Sequence, residues 1–401
     1  MKHKALFINE TQHDPSNENR YEMILKALIE DFEKTAVERD RKGGTAKRER
    51  DLLRKSGLLT LLIPCEYGGQ GESWRTIYLI IRRIAEVDSS LAHLFAFHHL
   101  QVATIDLYGN AQQKSHYFTQ TVTQSWFWGN AINSEGKGVK AEVTQHELII
   151  SGMKRFCSGA TDSDMLTVST VLETDDTVGY VAVTPTQQPG ITVHNDWDNM
   201  GQRQTDSGRV SFDKVAIAWN SLLTDPGPGG TLRATLRVCI SQLILVNLYL
   251  GIAQGAFEAA RDYTRTKKYS TEAEPVTEDP YILHRYGNMW LQLKSAIALA
   301  DAAACLLNQA LERGDEITEE ERGHVSIAIS EAKLIAARAG LDISNQLFDV
   351  AGASATTSKL GLDRFWRNIR THSLHDSLDD KLREIGDWAL NEMLPTPGSY
   401  S

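Results

Sequence analysis

The chain has 401 residues, 41% hydrophobic and 23% charged, the balance of an ordinary globular protein long enough for two or three cored domains. Forty-two basic against fifty-two acidic residues give a net charge of −10 with no basic cluster, which speaks against nucleic acid and anionic membrane as partners, since both demand Lys or Arg to neutralise phosphate. The four cysteines, Cys65, Cys157, Cys239 and Cys305, are widely spaced and form no CxxC pair, so reduced thiols are expected, with no disulfide framework and no metal site.

In chain order, Met1-Lys2-His3-Lys4 leads into polar residues with no apolar signal-peptide core, and a cytoplasmic protein is expected. From Tyr21 to Phe118 the pattern is helical, with Ile24, Leu25, Leu28, Ile29 and Phe32 on one stripe. The glycines of Glu66-Tyr67-Gly68-Gly69-Gln70-Gly71 mark a turn, after which helices are expected from Ser73 through Asp88 and from Ser89 to Tyr108. Between Ser125 and Leu223 the short runs Leu148–Ile150, Met165–Val168, Tyr180–Val183 and Val210–Phe212 are separated by turn residues, the spacing of a small barrel or sandwich. Asp225-Pro226-Gly227-Pro228 punctuates the chain, and long helices follow. The run Val238–Phe257 carries Ser241, Gln242, Asn247 and Gln254, so it reads as a buried bundle helix rather than a membrane span. Further helices start at Asp279-Pro280 and at the capping box Thr318…Glu321. The expected fold is α+β, mostly α: an N-terminal helical domain (1–122), a central β-barrel domain (123–228) and a C-terminal four-helix bundle (229–401).

The run Thr371-His372-Ser373-Leu374-His375-Asp376 is the richest in chemistry. Two imidazoles, side chains that can titrate near neutrality, are followed at once by a carboxylate, on a connection between two helices where a scaffold can hold them. Spacing alone also allows helix capping and local hydrogen bonds.

Six short motifs occur in one order: Pro64-Cys65-Glu66-Tyr67-Gly68-Gly69-Gln70-Gly71, Gly129–Glu135, Lys154-Arg155-Phe156-Cys157-Ser158-Gly159, Met200-Gly201-Gln202-Arg203, Leu250–Gly255 and Arg364-Phe365-Trp366-Arg367-Asn368. Over nearly its whole length the chain thereby resembles the acyl-CoA dehydrogenase superfamily. The resemblance implies a flavin between the β-domain and the bundle, and a homotetramer in which a neighbouring subunit completes the cofactor site. It places Phe156, Cys157 and Ser158 at the isoalloxazine, with Ser158 near N5, and the backbone around Asn133 and Ser134 at the pyrimidine side.

Two departures matter. The dehydrogenase base, a Glu, falls at Asp376, one methylene shorter, and from Thr231 to Phe257 there is no acidic residue to replace it. The Phe-Gly pair expected of an FAD site is absent from Tyr263-Thr264-Arg265-Thr266-Lys267-Lys268, and the later Gly-Gly appears as Ala351-Gly352-Ala353-Ser354. These features favour FMN over FAD, with Arg265 or Lys267 toward its phosphate and Gly352 and Ser354 as further contacts. Together with Ala92–His98, Tyr263–Thr266, Glu278–Tyr281 and Thr371–Asp376, they resemble the flavin-dependent monooxygenases of the dibenzothiophene monooxygenase and sulfur-acquisition type. Members of that branch can have Tyr where this chain has Phe97.

That resemblance implies a two-component monooxygenase. A separate NAD(P)H-dependent reductase supplies reduced FMN, and O2 forms a C4a-hydroperoxyflavin that oxygenates a small apolar substrate, expected to be an organosulfur compound. His375 is assigned the proton handling, Asp376 its orientation, Ser158 the N5 hydrogen, and His93 the substrate side with Phe97 and Trp128. His93 also reads as a satisfied core histidine, Phe97 and Trp128 as core aromatics, and Arg265 as a solvated helix-end charge. The competing functions are an FAD-dependent acyl-CoA dehydrogenase with Asp376 as base, an N-hydroxylating monooxygenase, and a non-enzymatic scaffold of the same fold.

Overall fold

The computed structural model describes residues 15–132, 138–177, 179–266, 275–398 and 401, with side chains from residue 21 onward. Five helices come first: α1 (Pro15–Lys42), α2 (Lys47–Ser56), α3 (Trp74–Ala85), α4 (Ser89–Tyr108) and α5 (Ala111–Gln124). On α3, Trp74, Ile77, Tyr78, Ile81 and Ile84 repeat at helical spacing and form its buried face. Helix α4 is buried along its whole length except at Asp106, so it forms the centre of this part of the molecule. Its start is set by Asp88, whose carboxylate accepts from the Leu91 N–H at 2.9 Å.

Seven strands follow: β1 (Trp128–Ala131), β2 (Val139–Val143), β3 (Glu147–Lys154), β4 (Met165–Leu172), β5 (Gly179–Pro185), β6 (Ile191–Val193) and β7 (Val210–Ala218). The main path is β1-β4-β2-β3-β7-β6, with β5 on the other side of β4. Strands β1 and β2 run parallel to opposite ends of β4, whereas β2–β3, β3–β7, β4–β5 and β6–β7 are antiparallel. Among the described residues no ladder joins β5 to β6, so the expected barrel takes the form of a curled half-barrel. Its concave side holds a separate core that includes Leu148, Ile150, Val168, Phe212, Val215 and Ile217.

The C-terminal part comprises α6 (Leu236–Thr266), α7 (Pro280–Glu312), α8 (Glu319–Ala351), α9 (Asp363–His372) and α10 (Leu378–Asn391). Helix α6 is long and apolar enough to cross a membrane, yet 89% of its most apolar window is buried against its neighbours, as a bundle core requires. It packs on α8, α3, α7 and α4. Gly251 and Gly255 permit the approach of α3: a Cβ on Gly251 would lie 2.4 Å from the Arg82 carbonyl oxygen, and one on Gly255 2.1 Å from that of Glu86. The Thr318–Glu321 capping box is formed, and Asp279 caps α7 with Pro280 in the first turn. The turn from α9 to α10 carries His375 and Asp376.

Candidate active site

A cavity of about 630 Å³ lies where α4, the half-barrel, α6 and the α9–α10 turn meet. That is within the range of about 300–1,000 Å³ usual for small-molecule sites. His93 and Phe97 reach it from α4, Ser158 from the loop after β3, Ser207 from the loop before β7, and His372 and His375 from the end of α9. His93 Nε2 lies 2.9 Å from Ser158 Oγ, which in turn lies 2.9 Å from Ser207 Oγ. Thr205 Oγ1 continues the chain of hydroxyls at 2.8 Å. The His93 ring stacks on Phe97, centroids 4.0 Å apart, and faces His372 at 4.9 Å.

Burial pushes His93 down to about 3, with the neighbouring His375 adding to the effect. His372 is likewise driven well below the usual imidazole range by burial, then by His93, His375 and Lys333. Both rings are therefore neutral near pH 7. Each keeps a buried Nδ1 without a hydrogen-bond partner. Two such atoms beside an aromatic-walled cavity are suited to the polar ring atoms of a bound group.

Behind the cavity wall, Asp376 is ion-paired with Lys333, and Gln242 accepts a further hydrogen bond from the same ammonium. Their side chains are 3% and 1% exposed. Burial alone would raise Asp376, but the hydrogen bond from His375 and the Lys333 charge outweigh it and hold the carboxyl at about 2. Burial lowers Lys333 to about 8 against the pull of Asp376. Asp376 does not line the cavity; His375 does, with its Nδ1 3.3 Å from Asp376 Oδ1. The carboxylate is thus placed to orient His375, and it is a poor proton acceptor for a dehydrogenation.

The loop after β3 shows why its residues separate. Phe156 has φ +55° and is 56% exposed, its ring edge-on to Trp197 at 6.2 Å along the cavity wall. Such a backbone costs about 1–3 kcal/mol in a non-glycine residue and persists only where its surroundings fix it. Here the Cys157 N–H donates to Gly208 O and the Gly159 N–H to Thr205 O, which pins the segment to the loop before β7.

Two of the expected side chains do not face the cavity. Cys157 does not present its thiol to the cavity; the side chain lies in the core of the sheet, where burial pushes it up to about 12. Trp128 is 1% exposed, and its Nε1 donates to Thr121 Oγ1 at 2.9 Å, so it belongs to the packing of α4 and α5 rather than to the substrate wall.

Three family models match the chain: the acyl-CoA dehydrogenase N-terminal domain over residues 18–125, the middle domain over 133–215 and the C-terminal domain over 243–380. The chain belongs to the acyl-CoA dehydrogenase family. Within it, the resemblance is to monooxygenases. A Pseudomonas putida protein named "Probable FMNH2-dependent monooxygenase SfnC" is 47% identical, the match covering 94% of this chain and 96% of that one. The structure of methanesulfinate monooxygenase MsuC from Pseudomonas fluorescens superimposes with a TM-score of 0.93 at 46% identity, over 97% of this chain and 100% of that one. TdsC from Paenibacillus sp. A11-2, in its complex with FMN and indole, gives 0.90 at 41% identity, over 94% and 99%. These likenesses assign the chain to the flavin-dependent monooxygenase branch of the family.

The cavity's residues fit a flavin of that branch. The unpaired imidazole nitrogens, the Ser158–Ser207–Thr205 hydroxyls and the exposed ring of Phe156 offer polar and flat contacts in one place. Other expected contacts lie elsewhere. Arg265 is twenty residues beyond Leu245, the last α6 residue on the cavity wall, a distance of about 30 Å along the helix. Gly352 and Ser354 are at that same far end, where Tyr263 Oη donates to Ser354 Oγ at 2.8 Å. Within one chain these residues cannot touch a group in the cavity. Asn133, Ser134 and Lys267 lie outside the described residues.

Sequence reasoning passed over Ser207, Trp197 and Lys333 and gave His372 only a secondary role. The first two follow closely on Val193 and on the Met200–Arg203 motif, which marked the loop without naming its working residues. Lys333 carried one signal, a cation flanked by Ala332 and Leu334 at the start of the apolar run Leu334–Ala337 of α8.

Proposed function

We propose that this chain is the oxygenase of a two-component system that uses reduced FMN and O2 to oxygenate a small organosulfur compound. The observation that carries the reading is the set of neutral imidazoles and hydroxyls, His93–Ser158–Ser207 with His372, in a cavity whose only nearby carboxylate of the α9–α10 turn is locked to Lys333. A dehydrogenase needs a free carboxylate there to remove a proton beside a thioester.

Reduced FMN supplies, when bound, the two electrons that divide O2 between product and water. The protein's part is the rest. Phe156 and Ser158 hold the ring system, and the neutral His93 keeps the Ser158 hydroxyl oriented toward it. Phe97 and Leu100 form the apolar substrate wall. His375, oriented by Asp376, moves the proton at the reacting oxygen.

A separate NAD(P)H-dependent flavin reductase provides the reduced cofactor, and the enzyme is cytoplasmic. It works as a homotetramer, in which Arg265, Gly352 and Ser354 of one copy reach the flavin of another. Exposed apolar side chains on α7, with Tyr281 80%, Leu291 67% and Trp290 45% exposed, support such an assembly.

Turnover with an unrelated NADH-dependent flavin reductase tests the reading. Sulfides or sulfinates should be converted to their oxygenated products only when FMN and reductase are present, and acyl-CoA thioesters should leave the protein-bound flavin oxidised. Bleaching by an acyl-CoA without any oxygenation would overturn it.

A further inference from the structure

Helix α6 brings a positive charge into the same cavity. Arg237, in its first turn, is 8% exposed and lines the wall beside Val238 and Ser241. Its Nε donates to Thr104 Oγ1 at 2.6 Å, its Nη2 reaches Gln101 Oε1 at 3.5 Å, and its guanidinium carbon stands 6.0 Å from the centre of the Tyr108 ring. All three neighbours are neutral. Among the described residues no carboxylate comes within ion-pair distance of it, and α6 has no acidic residue before Glu258. Burial disfavours its charged form, with Tyr108 opposing the shift.

Two other buried arginines have carboxylate partners. Arg39, equally buried, pairs with Asp88, and Arg50 pairs with Asp206 at 3.1 Å. A guanidinium removed from water without a counter-charge is expensive for a fold to keep. The carboxylate on the cavity wall, Asp198, is of no help to Arg237: its side chain is 90% exposed and faces Arg203 at 3.6 Å. A counter-anion for Arg237 therefore has to come from within the cavity.

Its position says which end of a ligand it meets. Gln101 lies two turns beyond His93, about 12 Å along α4. Phe97 and Leu100 occupy the wall between them. Arg237 thus stands at the opposite end of the substrate wall from the His93–Ser158 pair.

Resting on the oxygenase reading above, we propose that Arg237 is the substrate-recognising residue of this cavity and that the substrate is an organosulfur anion, not a neutral thiophene or sulfide. Two sources of that charge share the chemistry: a sulfinate, with the charge at the reacting sulfur, and a thioether carboxylate, with the charge a few bonds away. In either case a lone pair on sulfur forms the new S–O bond with one atom of O2. The other atom leaves as water, taking the two electrons and two protons that reduced FMN gives up on returning to oxidised FMN.

The test compares the wild type with R237M and R237K on two pairs of probes, methanesulfinate against dimethyl sulfoxide and 3-(methylthio)propanoate against its uncharged amide. The wild type should prefer the charged member of at least one pair, and the preferred pair shows where the charge sits. R237M should then lose about a hundredfold in kcat/KM for that probe, mostly through KM, which is the usual scale for a buried charge partner. Its turnover of the uncharged probe should stay within about threefold, with partial recovery in R237K. Removing Arg237 orphans no carboxylate, so the melting temperature should hold. Methanesulfonate binding to the FMN-loaded protein, measured by calorimetry, gives a readout independent of turnover and should weaken in R237M.

Equal loss on charged and uncharged probes would make Arg237 structural, and loss of FMN retention would make it a cofactor contact; either overturns the proposal. Oxygenation of the uncharged probes alone would overturn it while leaving the monooxygenase reading intact. Methanesulfonate binding that depends on Arg237, with no oxygenation of any probe, would uphold the anion site and sink the oxygenase.

Discussion

A residue that moves protons at an oxygenating centre has to reach both the reacting atoms and a second group that sets its orientation. His93 and His372 are fully desolvated and held neutral, so they act as fixed hydrogen-bonding surfaces. His375 combines a place on the cavity wall, a side chain 41% exposed and the Asp376 carboxylate at 3.3 Å. Replacing His375 with Ala should lower product formed per reduced FMN consumed by about a hundredfold or more, the scale of a lost general acid–base. FMN affinity should stay within about threefold, because the residue touches the proton and not the ring system. Unchanged coupling would remove His375 from the mechanism. The run Thr371–Asp376 was legible in the sequence because its side chains have few other reasons to sit together. The Lys333 ion pair was not, since a lysine on a helix reads as solvated until the neighbouring helices are placed. Trp128 was misread for the converse reason: an aromatic beside a loop motif looks available until Thr121 is seen to take its Nε1.

At the scale of elements, α4 carries an acid sensitivity. Burial holds His93 at about 3 and His98 at about 4, and pushes His99 further down; His372 on α9 behaves alike. Each has a folded-state pKa below its unfolded value, near 6.5, so the unfolded chain binds protons that the native state refuses. Stability is complete above about 6.5 and falls as the pH drops below it, by about 1.4 kcal/mol per pH unit for each ring until its own folded pKa is reached. The melting temperature should therefore decline steeply between about pH 6.5 and pH 4.5, in a window above the titration of the Asp376 pair. A flat profile across that range would mean these imidazoles are not buried as described. Helix α4 was readable from Ser89 to Tyr108 because Asp88 and Gly109 flank an unbroken helical run. Strand β1 was not: Trp128-Gly129-Asn130-Ala131 shows no run of β-branched residues, and its partner β4 lies more than thirty residues away. The three-residue β6 is too short to carry a period.

Across the whole molecule, the sheet, α4 and α6 enclose one cavity, and the remaining expected cofactor contacts sit about 30 Å off at the other end of α6. The division into helices, strands and helices was legible because hydrophobic periodicity changes twice along the chain. The distance of Arg265, Gly352 and Ser354 from the cavity was not, because sequence order does not reveal how far a 31-residue helix carries its last turn from its first. The exposed apolar side chains of α7 offer the surface through which a second copy would close that gap. The proposed reaction transfers an oxygen atom from O2 to sulfur at the expense of reduced FMN. The most direct measurement is turnover of a sulfinate or thioether under isotopically heavy dioxygen in ordinary water, with reduced FMN supplied by an unrelated reductase. One heavy oxygen atom in each product molecule, and none when FMN is omitted, is the expected result. Product oxygen drawn from water, or product formed without reduced flavin, would contradict the account.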